Sequence, residues 1–189
     1  MNQPAVWWLM RASGAVSLVL LTLVSALGIA TVARLRTRRM ARLVTLGLHR
    51  SISLLALAFL SLHVLTAIID PDAAVRLEAV VLPFPSGLSG LWLGLGALAF
   101  DLLVALVITS LLRHRIAPAA WRGLHYAAYL AWPVALLHGA GMGTDAGSGW
   151  MLAVDALCIA VFAGAVALRL RKAPAGSAKH LAPRLRATP

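Results

Sequence analysis

At 189 residues, 61% of them hydrophobic and only 12% charged, the chain has too little polar surface for a soluble domain of its size. Its mean hydropathy of +0.88 describes an integral membrane protein, with room for a handful of bilayer spans of about 20 residues each. The net charge of +11 does not indicate nucleic acid, because the basic residues fall in short connections between apolar runs, where anionic lipid head groups are partner enough.

Five apolar segments follow in chain order. The first has its core at AVSLVLLTLVSALGIATVA (15–33), entered from Trp7. The cluster RLRTRRMAR (34–42) comes after this run and not before it, so a cleavable signal peptide is not expected. The second segment spans 43–69. The connection 70–90 contains VVLPFPSGLSG (80–90), whose prolines and glycines exclude a regular helix and suit a cap on the membrane surface. The third segment is LWLGLGALAFDLLVALVITSLL (91–112), the fourth runs over 121–137, and the fifth is WMLAVDALCIAVFAGAVALRL (150–170). Length and flanking charge decide these assignments, since helices in lipid are apolar all round. The lone cysteine, Cys158, lies inside the fifth segment and reads as a core or lipid-facing thiol.

Orientation follows from the Lys/Arg asymmetry of the connections. Arg34, Arg36, Arg38, Arg39 and Arg42 lie on one side, with Arg113, Arg115, Arg122 and the basic residues from Arg169 onward. The other side carries Asp70, Asp72, Glu78 and Asp145 with only Arg76. The fold expected is therefore all-α: an integral membrane bundle of five transmembrane helices, N-terminus out and C-terminus in, in the plasma membrane. Residues 1–172 form the membrane domain, and 173–189 a basic, disordered cytoplasmic tail. Trp7, Trp8, Trp92 and Trp150 fall at the outer boundary and Trp121 at the inner one, as in an aromatic belt.

Within this frame the second and fourth helices each carry two histidines. His49 and His125 lie at inner depth, His63 and His138 at outer depth. The fourteen-residue spacing on the second helix covers about 21 Å and returns to within about 40° of one face. The thirteen-residue spacing on the fourth leaves an ideal offset of about 140°, and Pro133 between the two is expected to kink or rephase that helix. Two facing imidazoles at each of two depths suit haem iron, which takes axial nitrogens from both faces of an apolar macrocycle. A polar contact between helices, or a zinc or proton path, is the competing reading; zinc needs ligands clustered at one depth.

These pairs, with the segments WWLMRASGAVSLVLLTLVSALGI (7–29), LGLHRSISLLALAFLSLHV (46–64) and WRGLHYAAYLAWPVALLHG (121–139), resemble the ferric reductase-like transmembrane domain, in particular short actinobacterial members. That family includes NADPH oxidases, ferric reductases and the membrane haem subunit of the bacterial methionine sulfoxide reductase system. The resemblance covers residues 7–170. It implies two haem b groups, the inner held by His49 and His125, the outer by His63 and His138. It departs from the family in two ways. Many members have six spans, so the first helix here corresponds to their second, and the flavin and pyridine-nucleotide module of the larger members has no counterpart in these 189 residues. The electron donor is then expected on a separate protein, a flavoprotein reductase or a quinol, with the basic inner connections as its docking surface.

Haem propionates want cations. Arg50 beside His49 and Arg122 one turn before His125 are candidates at inner depth, with snorkelling to the lipid interface as the alternative. Arg11 is the candidate at outer depth, where it runs against the charge bias; Asp155 is a possible ion-pair partner for it. Asp101, in mid-membrane, is expected to pair structurally. Gly14, Gly28 and Gly47 suit close approach of helices or a porphyrin. His114 and His180 lie among basic residues and read as solvated. The function expected is transmembrane electron transfer from a cytoplasmic-side donor to an outer acceptor. A haem-binding anchor subunit and a His-lined metal or proton transporter are the alternatives.

Overall fold

A computed structural model describes residues 3–32, 42–71, 73, 75–81 and 88–172. The basic run at Arg34, Arg36, Arg38 and Arg39, the 82–87 part of the Pro/Gly stretch, and the tail with Lys179, His180, Arg184 and Arg186 lie outside the described residues. Among the described residues there is no strand.

The helices are α1 (Gln3–Val32), α2 (Arg42–Ile69), the single turn α3 (Glu78–Val81), α4 (Leu88–Leu111), α5 (Pro118–His125), α6 (Ala128–Met142) and α7 (Gly149–Lys172). Four of them, α1, α2, α4 and α7, are long and apolar enough to cross a membrane. They correspond to the first, second, third and fifth apolar segments, with ends within a few residues of those expected except at α1, which begins at Gln3. A multi-pass membrane protein is what such helices build.

The fourth apolar segment is not one helix. Pro118, in the first turn of α5, starts it with a pre-set φ and no wasted N–H. The chain then tightens at Tyr126 and Ala127, whose ψ values are both −19°. The N–H groups of Tyr126, Ala127, Tyr129 and Leu130 each reach back three residues, to Gly123, Leu124, Tyr126 and Ala127. That is the 3₁₀ pattern, which advances about 120° per residue in place of about 100°. Over about four residues the surplus is about 80°, which cuts the ideal offset of about 140° between His125 and His138 to about 60°. The rephasing therefore lies N-terminal to Pro133, which sits inside α6 without ending it.

Helix α1 is the centre of the bundle, packed on α2, α6 and α7, while α4 packs on α6 and α2. The mid-bundle core is Leu18 and Leu21 of α1, Leu103 of α4, Trp132 of α6 and Cys158 of α7. Cys158 is buried, so of the core and lipid-facing placements its segment allows, the core is the one it takes. Trp132 stacks on Phe162 with ring centres 4.1 Å apart and planes 4° from parallel. Its indole N–H donates to Thr22 Oγ1 at 2.7 Å, and that hydroxyl donates to the Leu18 carbonyl at 2.8 Å. In lipid no water satisfies a stray polar group, and both of these donors are closed internally. Ser17, Ser53 and Thr66 do the same by donating to carbonyls one turn earlier.

Trp132→Ala empties this core and is expected to destabilise the bundle by on the order of 3 kcal/mol. Trp132→Phe keeps the stack and loses only the hydrogen bond, at about 1 kcal/mol. Thermal unfolding in detergent, with the alanine variant melting well below the phenylalanine variant, is the check; equal melting would show that Trp132 is not a core residue.

Candidate functional site

The histidines meet in the pairs that the sequence suggested. His63 and His138 have ring centres 6.3 Å apart with planes 77° apart, and His49 and His125 have the same 6.3 Å separation at 66°. A metal–imidazole bond of about 2.0 Å, plus about 1.1 Å from nitrogen to ring centre, sets two opposed imidazoles on one metal about 6.2 Å apart, close to the 6.3 Å seen in each pair. Each pair is therefore spaced to clasp one metal from two sides. Among the described residues no three His, Cys, Asp or Glu side chains gather as a metal site. A metal held by such a pair must bring its remaining ligands with it.

Three of the four rings are held in the same way. His63 Nδ1 donates to the Met10 carbonyl at 2.8 Å, His49 Nδ1 to Val24 at 3.1 Å, and His138 Nδ1 to Trp92 at 2.9 Å. A carbonyl only accepts, so Nδ1 carries the proton in each ring and Nε2 keeps its lone pair for a metal. Four residues after each acceptor stands a glycine: Gly14, Gly28 and Gly96. Positions i and i+4 share a helix face, so a side chain at i+4 would stand where the ring must enter to reach the carbonyl's second lone pair. A Cβ would lie 2.6 Å from His138 Cε1 and Nδ1 at position 96, 3.0 Å from those atoms of His63 at position 14, and 3.4 Å from His49 Cε1 at position 28.

Gly14 and Gly28 are fourteen residues apart, as are His49 and His63. The antiparallel helices α1 and α2 thus repeat one contact at two depths, about 21 Å apart. Gly47, grouped with these two on the sequence, has open space around it. Gly96 escaped notice there, because only the packing of α6 on α4 gives it a histidine.

His125 breaks the pattern. Thirteen residues after Gly96, matching the spacing of His138 and His125, α4 carries Thr109. The Thr109 hydroxyl itself donates to the carbonyl four residues earlier, that of Ala105, at 2.7 Å. His125 Nδ1 is buried with no hydrogen-bond partner among the described residues, and so is Trp121 Nε1. The His125 ring stacks on Trp121, one turn before it, at 4.9 Å and 23°. Trp121 is thus a partner of the site as much as a belt residue, and Trp92 packs its ring against Gly141. Trp8 and Trp150 are exposed, as a belt requires.

A cavity of about 490 Å³ opens around His63 and His138, bounded by Gly14, Gly96, Phe100 and Leu103 among others. Its walls are largely apolar, and Arg11 reaches its rim. Arg11 pairs with Asp145 and Thr144 of the α6–α7 connection and lies 4.1 Å over the Trp7 ring. Its Nε is buried and without a hydrogen-bond partner among the described residues. The Asp155 pairing considered on the sequence is not formed. Asp155 stands on α7, its buried Oδ1 without a partner among the described residues, and the connection brings Asp145 to Arg11 instead. Arg50 and Arg122 are exposed at the His49/His125 end, and so is His114. Asp101 is half-exposed on α4 and makes no ion pair or hydrogen bond among the described residues; the expected structural pairing is absent because its face of the helix, shared with Ala105 and Ile108, points out of the bundle.

The sequence matches the family described as ferric reductase like transmembrane component over residues 13–136. That span holds His49, His63 and His125 and stops two residues short of His138. Comparison with curated proteins and with solved structures finds no match. With about two thirds of its length matched, the chain belongs to the ferric reductase-like transmembrane family.

Proposed function

We propose that this chain is a membrane cytochrome b that passes electrons across the bilayer through two haem groups. The observation that carries the reading is the recurrence of one geometry at both ends of the bundle: two opposed imidazoles with ring centres 6.3 Å apart. A haem brings four equatorial nitrogens of its own and asks the protein for two axial ones. That demand matches pairs of histidines and not the triads or tetrads that bare zinc needs, which weighs against a metal transporter.

In this reading His49 and His125 are the axial ligands of an inner haem, and His63 and His138 those of an outer one. When bound, the group supplies reversible one-electron chemistry. The chain's residues do the rest. The Met10, Val24 and Trp92 carbonyls fix the tautomer and aim of three ligands. Arg11 meets a propionate of the outer haem, and Arg50 and Arg122 those of the inner one. The packed layer around Trp132 keeps water out of the middle. The basic connections set the N-terminus outside and the C-terminus in the cytoplasm of a plasma-membrane protein. The electron donor is a separate flavoprotein or a membrane quinol. The acceptor, on the outer side, is ferric iron, oxygen or a redox protein.

An absorption spectrum of the purified chain, oxidised and dithionite-reduced, with a pyridine haemochrome assay, tests this. Two haem b per chain are expected, and one in His63→Ala or His49→Ala. A colourless protein from a haem-replete host would refute the proposal.

A further inference from the structure

The four ligands are not held alike, and the difference falls on one side of one site. His49, His63 and His138 each sit on a glycine and donate to a carbonyl of a neighbouring helix. To leave its metal, any of them must also break that bond and quit a fitted slot. His125 has neither tie. Its Nδ1 has no hydrogen-bond partner among the described residues, and its ring contact besides His49 is the Trp121 stack. It is the last residue of α5, an eight-residue helix, directly before the 3₁₀ joint at Tyr126 and Ala127. The position on α4 that would mirror Gly96 holds Thr109, whose hydroxyl already occupies the Ala105 carbonyl.

We infer that His125 is the exchangeable ligand of the inner pair, so that the inner site, once reduced, admits a small neutral diatomic molecule while the outer site does not. This rests on the bis-haem reading above. The exchange is a ligand substitution: the iron–Nε2 bond of His125 breaks, a bond from the iron to the diatomic forms, and no electron or proton changes place. His49, tied to Val24 and seated on Gly28, stays as the opposite ligand. The swing of His125 exposes its Nδ1 and the Trp121 Nε1 to other partners, so it forfeits no hydrogen bond of its own.

The probe is carbon monoxide, titrated into the dithionite-reduced full-length protein and followed by absorption difference spectra, with haem counted on the same sample. The expected result is one carbon monoxide per two haems. A variant that keeps only the inner ligands (His63→Ala with His138→Ala) retains the carbon monoxide band. One that keeps only the outer ligands (His49→Ala with His125→Ala) loses it. His125→Ala alone keeps two haems, whereas His49→Ala keeps one. Two haems with no carbon monoxide bound, or with two bound, overturn the inference even if no variant can be purified. So does a band that follows the outer pair. A protein without haem overturns the bis-haem reading, and this inference with it.

Discussion

Gly96→Ala is expected to remove the outer haem and leave the inner one in place. The added methyl would sit 2.6 Å from Cε1 and Nδ1 and 3.0 Å from Nε2 of His138, closer than such contacts allow. Neither partner yields easily: the ring is tied to the Trp92 carbonyl at 2.9 Å, and α4 and α6 are packed together. The ring must therefore move, losing that bond and turning Nε2 away from its mate on His63. Overpacking of this kind costs about 1–3 kcal/mol, and the lost hydrogen bond about 1 more. Helix propensity acts the other way, since alanine favours a helix over glycine by about 1 kcal/mol. A loss of haem would thus arise against the intrinsic trend. The three glycines should rank by distance. Gly14→Ala, at 3.0 Å from the His63 ring, weakens the outer site less, and Gly28→Ala, at 3.4 Å from His49, leaves the inner site loaded. Gly47→Ala and Gly164→Ala meet nothing within 4 Å and serve as controls. Haem per chain, with helical content by circular dichroism alongside, gives the answer. A full complement of two haems in Gly96→Ala would show that the glycine does not position His138.

The bundle was legible because lipid imposes a simple rule, and the chain obeys it. Four of five apolar runs became unbroken helices near the expected ends, and α2 matched to one residue. The fourth run hid its break. Hydropathy reads 121–137 as one span, whereas the 3₁₀ turn at Tyr126 and Ala127 is a backbone event that neither residue's type marks. That same turn explains why a thirteen-residue spacing, untidy on an ideal helix, still brings both histidines to their partners on α2.

The pairing of the histidines could be read from depth alone; what holds them could not. The equal fourteen-residue spacings of Gly14/Gly28 and His49/His63 are a signal in the sequence, since antiparallel helices convert equal spacings into repeated contacts. Gly96 carries no such signal, because α4 meets α6 only in the folded bundle. The same limit applies to Arg11. Asp145 and Asp155 both lie at the correct end in the chain, and only the path of the α6–α7 connection selects Asp145. Asp101 shows a related limit: its depth follows from the sequence, but the direction of its face does not, and α4 turns it outward.

Vesicles loaded with ferricyanide and given dithionite outside should discharge through the wild-type protein, and His49→Ala or His63→Ala should return that rate to that of protein-free vesicles. The reason lies in distance. On α2 the two ligands stand about 21 Å apart, so neither site alone reaches both surfaces of a hydrocarbon layer about 30 Å thick. The core between them, Leu18, Leu21, Leu103, Trp132 and Cys158, is buried, and among the described residues no metal-binding cluster lies there. On the proposed bis-haem reading, an electron entering at one pair would leave by the other. Losing either ligand that is anchored to a carbonyl and seated on a glycine therefore interrupts the whole route, although each variant still holds one haem. That separates the effect from unfolding, since the remaining haem reports an intact bundle in the same sample. A wild-type rate no faster than bare vesicles would refute transmembrane transfer while leaving the haem sites standing, and would favour a chain that anchors haem for a partner. A variant with one haem that still carries electrons at the wild-type rate would show that the two pairs do not act in series.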